Sequence, residues 1–78
     1  MNITIYTKPG CPSCDSLKTY LKAHNYQYAE KVLNVDLTKE ELVELFPGAM
    51  TVPQVMINEV PTGGYSSTVQ FLTESKVA

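Results

Sequence analysis

The only two cysteines of this 78-residue chain lie within one helical turn, in the motif Cys11-Pro12-Ser13-Cys14. The motif directly follows a β-like run over residues 2–7 and opens an amphipathic, helix-like stretch over residues 12–24. Two cysteines so placed at the start of a helix share one face and can form a disulfide without moving the chain. The pattern therefore predicts a dithiol/disulfide redox centre where a strand turns into a helix.

Cys11 is predicted to be the nucleophile of this pair. At a helix start its sulfur lies near unpaired backbone N–H groups and the positive end of the helix dipole, and both favour a thiolate. Pro12 suits the first helical position, because its missing N–H would be unpaired there. Lys8, the nearest cation in sequence, is expected to help hold the thiolate, although it can also be only a solvated turn residue. Cys11 should reach solvent, whereas Cys14 should be largely buried and should resolve a mixed disulfide on Cys11.

Composition and charge exclude several classes of protein. A net charge of −2 and 44% hydrophobic residues argue against disorder, and the six lysines are scattered rather than clustered as in a nucleic-acid-binding surface. The strand pattern begins by residue 3, which leaves no room for a secretory leader, and no apolar run approaches membrane-spanning length. One close cysteine pair also argues against a secreted disulfide scaffold. We therefore expect one domain over residues 1–78, monomeric and cytoplasmic.

Apolar periodicity and turn residues predict four strands alternating with three helices. The strands are expected over residues 2–7, 28–35 and 53–57 and around Val60, with a tight turn at Asn58-Glu59. The helices are expected over residues 12–24 with Asn25 as cap, from a capping box at Thr38 to the stop Pro47-Gly48, and from a second capping box at Ser67. On the second helix Leu42, Leu45 and Phe46 should share one face. A helical crossover and a tight turn together require a mixed sheet, which the helices should cover on both faces.

The order β-α-β-α-β-β-α, together with three motifs, resembles the glutaredoxins over essentially the whole chain. The motifs are C-P-x-C after the first strand, Thr51-Val52-Pro53 before the third, and Gly63-Gly64 before the last helix. The resemblance implies an α/β protein of thioredoxin fold, with a four-stranded mixed sheet and three helices. It also implies a cis peptide bond at Pro53 beside the two sulfurs, where the alternative is an ordinary edge-strand proline.

The resemblance further implies that glutathione binds beside the cysteines. Its cysteinyl part would pair with extended backbone at Val52, and its γ-glutamyl end would meet Tyr65 and Ser66 at a helix N-terminus. The implied substrate-binding residues are Lys8, Ser13, Thr51, Val52, Pro53, Gly63, Gly64, Tyr65 and Ser66. The chain departs from the family at Ser13, where tyrosine is commonest, and at Ser66 and Ser67, where an acidic residue usually follows the Gly-Gly pair. Because serine cannot form an ion pair with the γ-glutamyl amine, affinity or partner choice is expected to differ.

The resulting interpretation is a glutaredoxin-like thiol–disulfide oxidoreductase with glutathione as electron donor, disulfide-containing proteins as partners and no bound cofactor. Two other hypotheses stay open. A flavoprotein thioredoxin reductase can replace glutathione as donor, or two chains can share an iron–sulfur cluster through Cys11 and glutathione thiolates. A zinc or iron–sulfur site within one chain is short of ligands, since only His24 and carboxylates accompany the two cysteines.

Overall fold

A four-stranded sheet forms the centre of the protein in a computed structural model that describes residues 2–48 and 51–75. In chain order the elements are β1 (Ile3–Thr7), α1 (Pro12–Ala23), β2 (Ala29–Val32), α2 (Lys39–Leu45), β3 (Gln54–Ile57), β4 (Val60–Gly63) and α3 (Tyr65–Ser75). This order confirms the predicted β-α-β-α-β-β-α, while residues 1, 49, 50 and 76–78 of the expected domain lie outside the description. Within the described ranges, no helix has both the length and the apolar character needed to cross a membrane.

The strands lie in the order β2-β1-β3-β4, with β1 in the interior of the sheet. β1 pairs in parallel with β2, where Ile5 faces Glu30, and antiparallel with β3, where Ile5 faces Val55. β3 and β4 form an antiparallel hairpin through Asn58 and Glu59, whose φ angles are 51° and 68°. Positive φ at both central residues matches the twist that a two-residue hairpin turn needs. The predicted mixed sheet and tight turn are therefore confirmed.

Different helices cover the two faces of the sheet. Successive side chains along a strand point to opposite faces, so each face has its own buried cluster. On one face β1 and β3 pack against α1 and α3 through a buried cluster of Ile3, Ile5, Leu17, Leu21, Val55, Ile57 and Leu72. On the other face α2 packs over a second cluster of Tyr6, Leu37, Leu42 and Phe46. The first cluster fixes α1, the helix that follows the cysteine motif, since both of its leucines in the cluster are fully buried.

β2 is shorter than the predicted strand over residues 28–35. It ends at Val32, whose N–H donates a 2.8 Å hydrogen bond to the Asp36 carboxylate, and the chain then turns through Asn34 at a φ of 65°. Val35, near the end of the predicted strand, is 75% exposed. Apolar alternation indicated a strand here, but short polar side chains that bond to nearby backbone ended it early.

α2 confirms its predicted start and corrects its predicted buried face. The Thr38 hydroxyl accepts the Glu41 N–H at 3.2 Å, and the Glu41 carboxylate accepts the Thr38 N–H at 3.0 Å, which completes the capping box. Leu42 and Phe46 are buried, but Leu45 is 40% exposed, so the prediction that it shares their face is wrong. Leu42 and Phe46 are four residues apart, so they lie on the same side of the helix and face the sheet. Successive residues of a helix are rotated by about 100°, so Leu45, which precedes Phe46, lies to one side of this contact.

α1 and α3 differ from their predicted bounds by one or two residues. His24 caps α1 and the predicted cap Asn25 follows it at a φ of 61°, one position beyond the observed cap, in the left-handed conformation that asparagine tolerates well. In α3 the Gly64 carbonyl accepts the Thr68 N–H at 3.0 Å, so the helix starts at Tyr65. The capping box predicted at Ser67 is wrong, because that serine already lies inside the first turn.

A buried hydroxyl pair fixes the start of α3 onto the hairpin. Thr68 is fully buried, and its hydroxyl lies 2.9 Å from the hydroxyl of Thr62 on β4. The Thr62 hydroxyl also lies 3.3 Å from the Val55 carbonyl oxygen of β3. These bonds satisfy a polar side chain in the interior and so determine where the helix begins.

Candidate active site

The cysteine motif lies at the N-terminus of α1. Cys11 is the N-cap residue, with an extended backbone at φ −108° and ψ 102°, and Pro12 is the first helical residue, as predicted. Cys11 and Cys14 form a disulfide, with their Cα atoms 5.2 Å apart. The structure therefore shows the oxidised form of the predicted redox pair.

The Cys11 sulfur accepts a hydrogen bond from the helix it precedes. The Cys14 N–H lies 3.1 Å from Cys11 Sγ. The first N–H groups of a helix have no backbone partner and carry the positive end of the helix dipole. A hydrogen bond to an ionised acceptor is stronger than one to a neutral acceptor, so the same contact favours a thiolate once the disulfide is reduced.

The two cysteines differ in burial less than the sequence predicts. Cys14 is 1% exposed, which confirms its expected burial, but Cys11 is only 7% exposed. The Val52 carbonyl oxygen lies 3.8 Å from Cys11 Sγ and covers part of the sulfur. A substrate must therefore reach Cys11 alongside Val52.

The loop that carries Val52 connects the motif to the Gly-Gly pair. The Val52–Pro53 peptide bond is cis, as the resemblance implied, and Pro53 is buried. A Cβ atom placed on Gly64 would lie 3.5 Å from the Pro53 carbonyl oxygen, so the two segments are in close contact. Cys11, the Thr51-Val52-Pro53 loop and Gly64 are thus brought together, although they are far apart in sequence.

A cavity next to Val52 contains two lysines. Its lining residues are Lys8, Leu33, Lys39, Leu42, Val43, Thr51 and Val52. Three of these, namely Lys8, Thr51 and Val52, were predicted as substrate-binding residues. The cavity thus combines two cationic side chains with aliphatic ones.

Lys39 was not predicted as a site residue, although the topology contains the signal that would have found it. β1 and β2 are parallel, so their C-terminal ends lie at one edge of the sheet. Lys8 follows β1, and Lys39 opens the helix that follows β2. Ligands of α/β proteins bind at that edge, where residues after different strands converge.

The other predicted binding residues stand at helix starts and at the end of β4. Tyr65 and Ser66 are the first two residues of α3, where Tyr65 is 37% exposed, and Ser13 is an exposed residue in the first turn of α1. Gly63 has a φ of 97°, and a Cβ atom there would lie 3.3 Å from the Ser67 Cβ, so a side chain would be strained. Contacts of these residues with a ligand stay a prediction.

Histidine and carboxylates do not gather around the cysteines in the described part of the chain. Across residues 2–48 and 51–75 there is no group of three or more His, Cys, Asp or Glu side chains that could hold a metal ion. His24 lies at the other end of α1, with its ring centroid 4.3 Å from that of Tyr20.

Known proteins match most of this chain, including the segment that carries the cysteine motif. The family model for glutaredoxin matches residues 3–61. A glutaredoxin of Neisseria meningitidis serogroup A is 31% identical over 74 residues, which cover 92% of this chain and 86% of that protein. A hybrid peroxiredoxin of Haemophilus influenzae is 40% identical over 63 residues, which cover 81% of this chain but only 26% of that longer protein. The chain therefore spans about a quarter of this second relative.

The fold is shared with solved glutaredoxins. A buckwheat glutaredoxin, solved in complex with glutathione, superimposes with a TM-score of 0.80 at 22% identity, covering 95% of this chain and 70% of that one. At this identity the structural likeness shows the fold alone. Membership of the family is shown by the sequence, which matches the family model and the Neisseria relative. On these grounds the chain belongs to the glutaredoxin family of thiol–disulfide oxidoreductases, with Cys11 and Cys14 as its redox-active pair.

Proposed function

We propose that this glutaredoxin reduces protein disulfides and glutathione mixed disulfides with glutathione as the electron donor. The observation that carries the proposal is the position of Cys11 Sγ, which accepts the Cys14 N–H at 3.1 Å and lies 3.8 Å from the Val52 carbonyl oxygen. The sulfur is thus activated by a helix and faces backbone that can pair with a peptide. The protein works as a cytoplasmic monomer of one domain, without a bound cofactor.

The charges around Cys11 suit a small acidic peptide. Glutathione carries two carboxylates and one ammonium group. Lys8 and Lys39 line one cavity and can bind one carboxylate through their ammonium groups. The N–H groups at the start of α3, near Ser66, can donate hydrogen bonds to the other carboxylate. The buckwheat glutaredoxin was solved with glutathione, which supports this class of ligand.

The reaction begins when the Cys11 thiolate attacks the glutathionyl sulfur of a mixed disulfide. A disulfide forms between Cys11 and glutathione, the original S–S bond breaks, and the substrate leaves as a thiolate that takes a proton from water. A second glutathione thiolate then attacks the glutathionyl sulfur, releasing glutathione disulfide and restoring the Cys11 thiolate.

Cys14 provides a second route for resolving the mixed disulfide. Its thiolate attacks the Cys11 sulfur, which releases the bound thiol and closes the Cys11–Cys14 disulfide. Two glutathione molecules then reopen that disulfide, giving up two electrons and forming one molecule of glutathione disulfide. This route serves protein disulfides, because the first thiol released stays close enough to attack Cys11 again.

The electron donor is tested on a glutathionylated peptide. One assay supplies glutathione with glutathione reductase, and the other supplies NADPH with a flavoprotein thioredoxin reductase. We expect turnover with glutathione, retention of this activity in Cys14→Ser and complete loss in Cys11→Ser. Equal loss in both variants would contradict the assignment of Cys11 as nucleophile. Turnover with the flavoprotein alone would favour the hypothesis that a thioredoxin reductase replaces glutathione as donor.

The iron–sulfur hypothesis has a separate test. We expect freshly purified protein to be colourless and to have the mass of a monomer in solution. Visible absorption that appears together with a dimer would favour a cluster bridging two chains.

A further inference from the structure

A hydrogen-bonded ion pair joins the three elements next to the cysteine motif. The Glu30 carboxylate of β2 accepts a 2.6 Å hydrogen bond from the Thr7 hydroxyl and a 3.3 Å hydrogen bond from the Lys18 ammonium of α1. Lys18 Nζ also lies 3.6 Å from the Asp15 carboxylate. Thr7 is 2% exposed, so the network runs from the interior to the surface.

The network contacts both chain segments that flank the redox pair. Thr7 is the last residue of β1, and only the turn over residues 8–10 separates it from Cys11. Lys18 follows Cys14 by four residues on α1, so the two side chains lie on the same side of the helix, one turn apart. Pairing with Glu30 therefore reduces the positive charge that Lys18 presents one turn from Cys14.

The charges of Glu30 and Lys18 persist through the neutral pH range. The Thr7 hydroxyl, and after it the Lys18 ammonium, hold the pKa of the Glu30 carboxyl below its usual range. The hydrogen bond to Glu30 raises the pKa of Lys18. Cys14 thus lies one helical turn, and the Cys11 thiolate about two turns, from a lysine whose charge a carboxylate largely cancels.

We propose that Glu30 is a positioning residue that sets the reduction potential of the Cys11–Cys14 pair by neutralising Lys18. Without the carboxylate, Lys18 keeps as an ion-pair partner, among residues 2–48 and 51–75, only Asp15, whose side chain is 76% exposed. The freed positive charge favours the thiolate, stabilises the reduced pair and raises its potential. Loss of Lys18 leaves Glu30 with the Thr7 hydroxyl and the weaker charge interaction with Lys22, and so acts in the opposite direction.

This inference does not depend on glutathione as the donor. The potential of the pair is an equilibrium property, so it is measured against a dithiothreitol redox buffer that no partner protein needs to recognise. Failure of the glutathione assay would therefore leave this proposal intact, and failure of this proposal would leave the donor assignment intact.

The test uses Glu30→Gln, Lys18→Gln and the double variant, with Glu44→Gln as the control. Glu44 lies on α2, which covers the other face of the sheet, and its variant changes the net charge by the same amount. We expect Glu30→Gln to shift the equilibrium about three- to tenfold toward the dithiol, or about 14–30 mV at about 29.6 mV per tenfold. Lys18→Gln should shift it toward the disulfide, and the double variant should return to within about twofold of the parent.

A second readout separates this role from a structural one. The pKa of the Cys11 thiol should fall in Glu30→Gln and rise in Lys18→Gln, whereas a purely structural role would lower stability in both variants without moving this pKa in opposite directions. Shifts of the same sign, or shifts no larger than that of Glu44→Gln, would overturn the proposal. If Glu30→Gln does not fold, Lys18→Gln alone decides, and a potential that is not lowered overturns it.

Discussion

Two groups of different kinds are expected to favour the Cys11 thiolate. The first is the Cys14 N–H, fixed at 3.1 Å by the geometry of α1. The second is Lys8, an exposed side chain on the cavity that also contains Val52. A preorganised backbone donor loses no side-chain freedom when it binds an anion, whereas a solvated lysine does, so the helix should contribute more.

In the reduced protein we therefore expect the pKa of the Cys11 thiol to lie well below the free-thiol value of about 8.5. Thiolate absorbance followed against pH measures it. Lys8→Ala should raise this pKa slightly, while the control Lys31→Ala, an exposed residue of β2 on the side of the sheet that α2 covers, should leave it unchanged. A Cys11 that titrates at the free-thiol value would refute the activation by the helix, and an unchanged pKa in Lys8→Ala would remove only the contribution of the lysine.

Ser66 allows a test of the glutathione site itself. An aspartate at this position restores the possibility of an ion pair with the γ-glutamyl amine, so Ser66→Asp should lower the KM for glutathione. The expected gain is about 0.5–1.5 kcal/mol, because an exposed ion pair contributes little and the added carboxylate repels that of the substrate. Ser16→Asp, on the exposed part of α1, is the matched control. An equal KM in both variants would argue against Ser66 as a ligand contact.

The sequence could predict the position of Cys11 but not its surroundings. The N-cap position and Pro12 follow from a strand, a turn and a helix that are adjacent in the chain. The low exposure of Cys11, 7%, does not, because the covering carbonyl belongs to Val52, which is 41 residues away. Lys39 was missed for the same reason, since the cavity residues that were predicted, Lys8, Thr51 and Val52, lie in other segments of the chain.

At the scale of elements, two similar sequence patterns have different outcomes. Thr38 and Ser67 each begin a capping-box pattern, but only Thr38 caps a helix. The start of α3 is fixed earlier, where the Gly64 carbonyl accepts the Thr68 N–H and the Thr68 hydroxyl meets Thr62. A tertiary contact with the hairpin thus overrides a local signal.

This difference predicts unequal effects of two alanine substitutions. Thr38→Ala should lower the free energy of unfolding by about 1 kcal/mol, because it removes a cap bonded to the Glu41 N–H. Ser67→Ala should change it by less than about 0.5 kcal/mol, because this serine is exposed inside the first turn of α3. Urea denaturation of the two variants and the parent measures both. A loss of similar size in the two variants would contradict a helix start at Tyr65.

At the scale of the whole molecule, the order and type of the elements could be predicted, because each depends on periodicity within a short segment. A helical crossover joins parallel strands and a tight turn joins antiparallel strands, so the two connections together predicted a mixed sheet whose faces the helices cover. The exposure of Leu45 and Val35 could not be predicted, since apolar residues at suitable spacing occur on both the packed and the open sides of short elements.

Stability should depend on pH through Glu30. Its pKa lies below the ordinary value of 4.5 in the folded protein, because the carboxylate is hydrogen-bonded to Thr7 and then to Lys18. The stabilisation is therefore fully present above pH 4.5 and is lost as the pH falls through the folded-state pKa. The difference in free energy of unfolding between the parent and Glu30→Gln should stay constant near neutrality and shrink in acid. Urea denaturation across this pH range measures it, and a difference that persists unchanged in acid would contradict the linkage.

The helix start beneath Cys11 and the carbonyl beside it exist only in the folded chain, since the Val52 contact joins residues 41 apart. Unfolding usually speeds the alkylation of a cysteine by exposing it. Here unfolding also removes the donors that favour the thiolate. At a pH below the pKa of an ordinary thiol, the reduced, folded protein should therefore react with iodoacetamide faster than the unfolded chain. The rate at which iodoacetamide alkylates Cys11 would then measure the fraction of molecules that are folded.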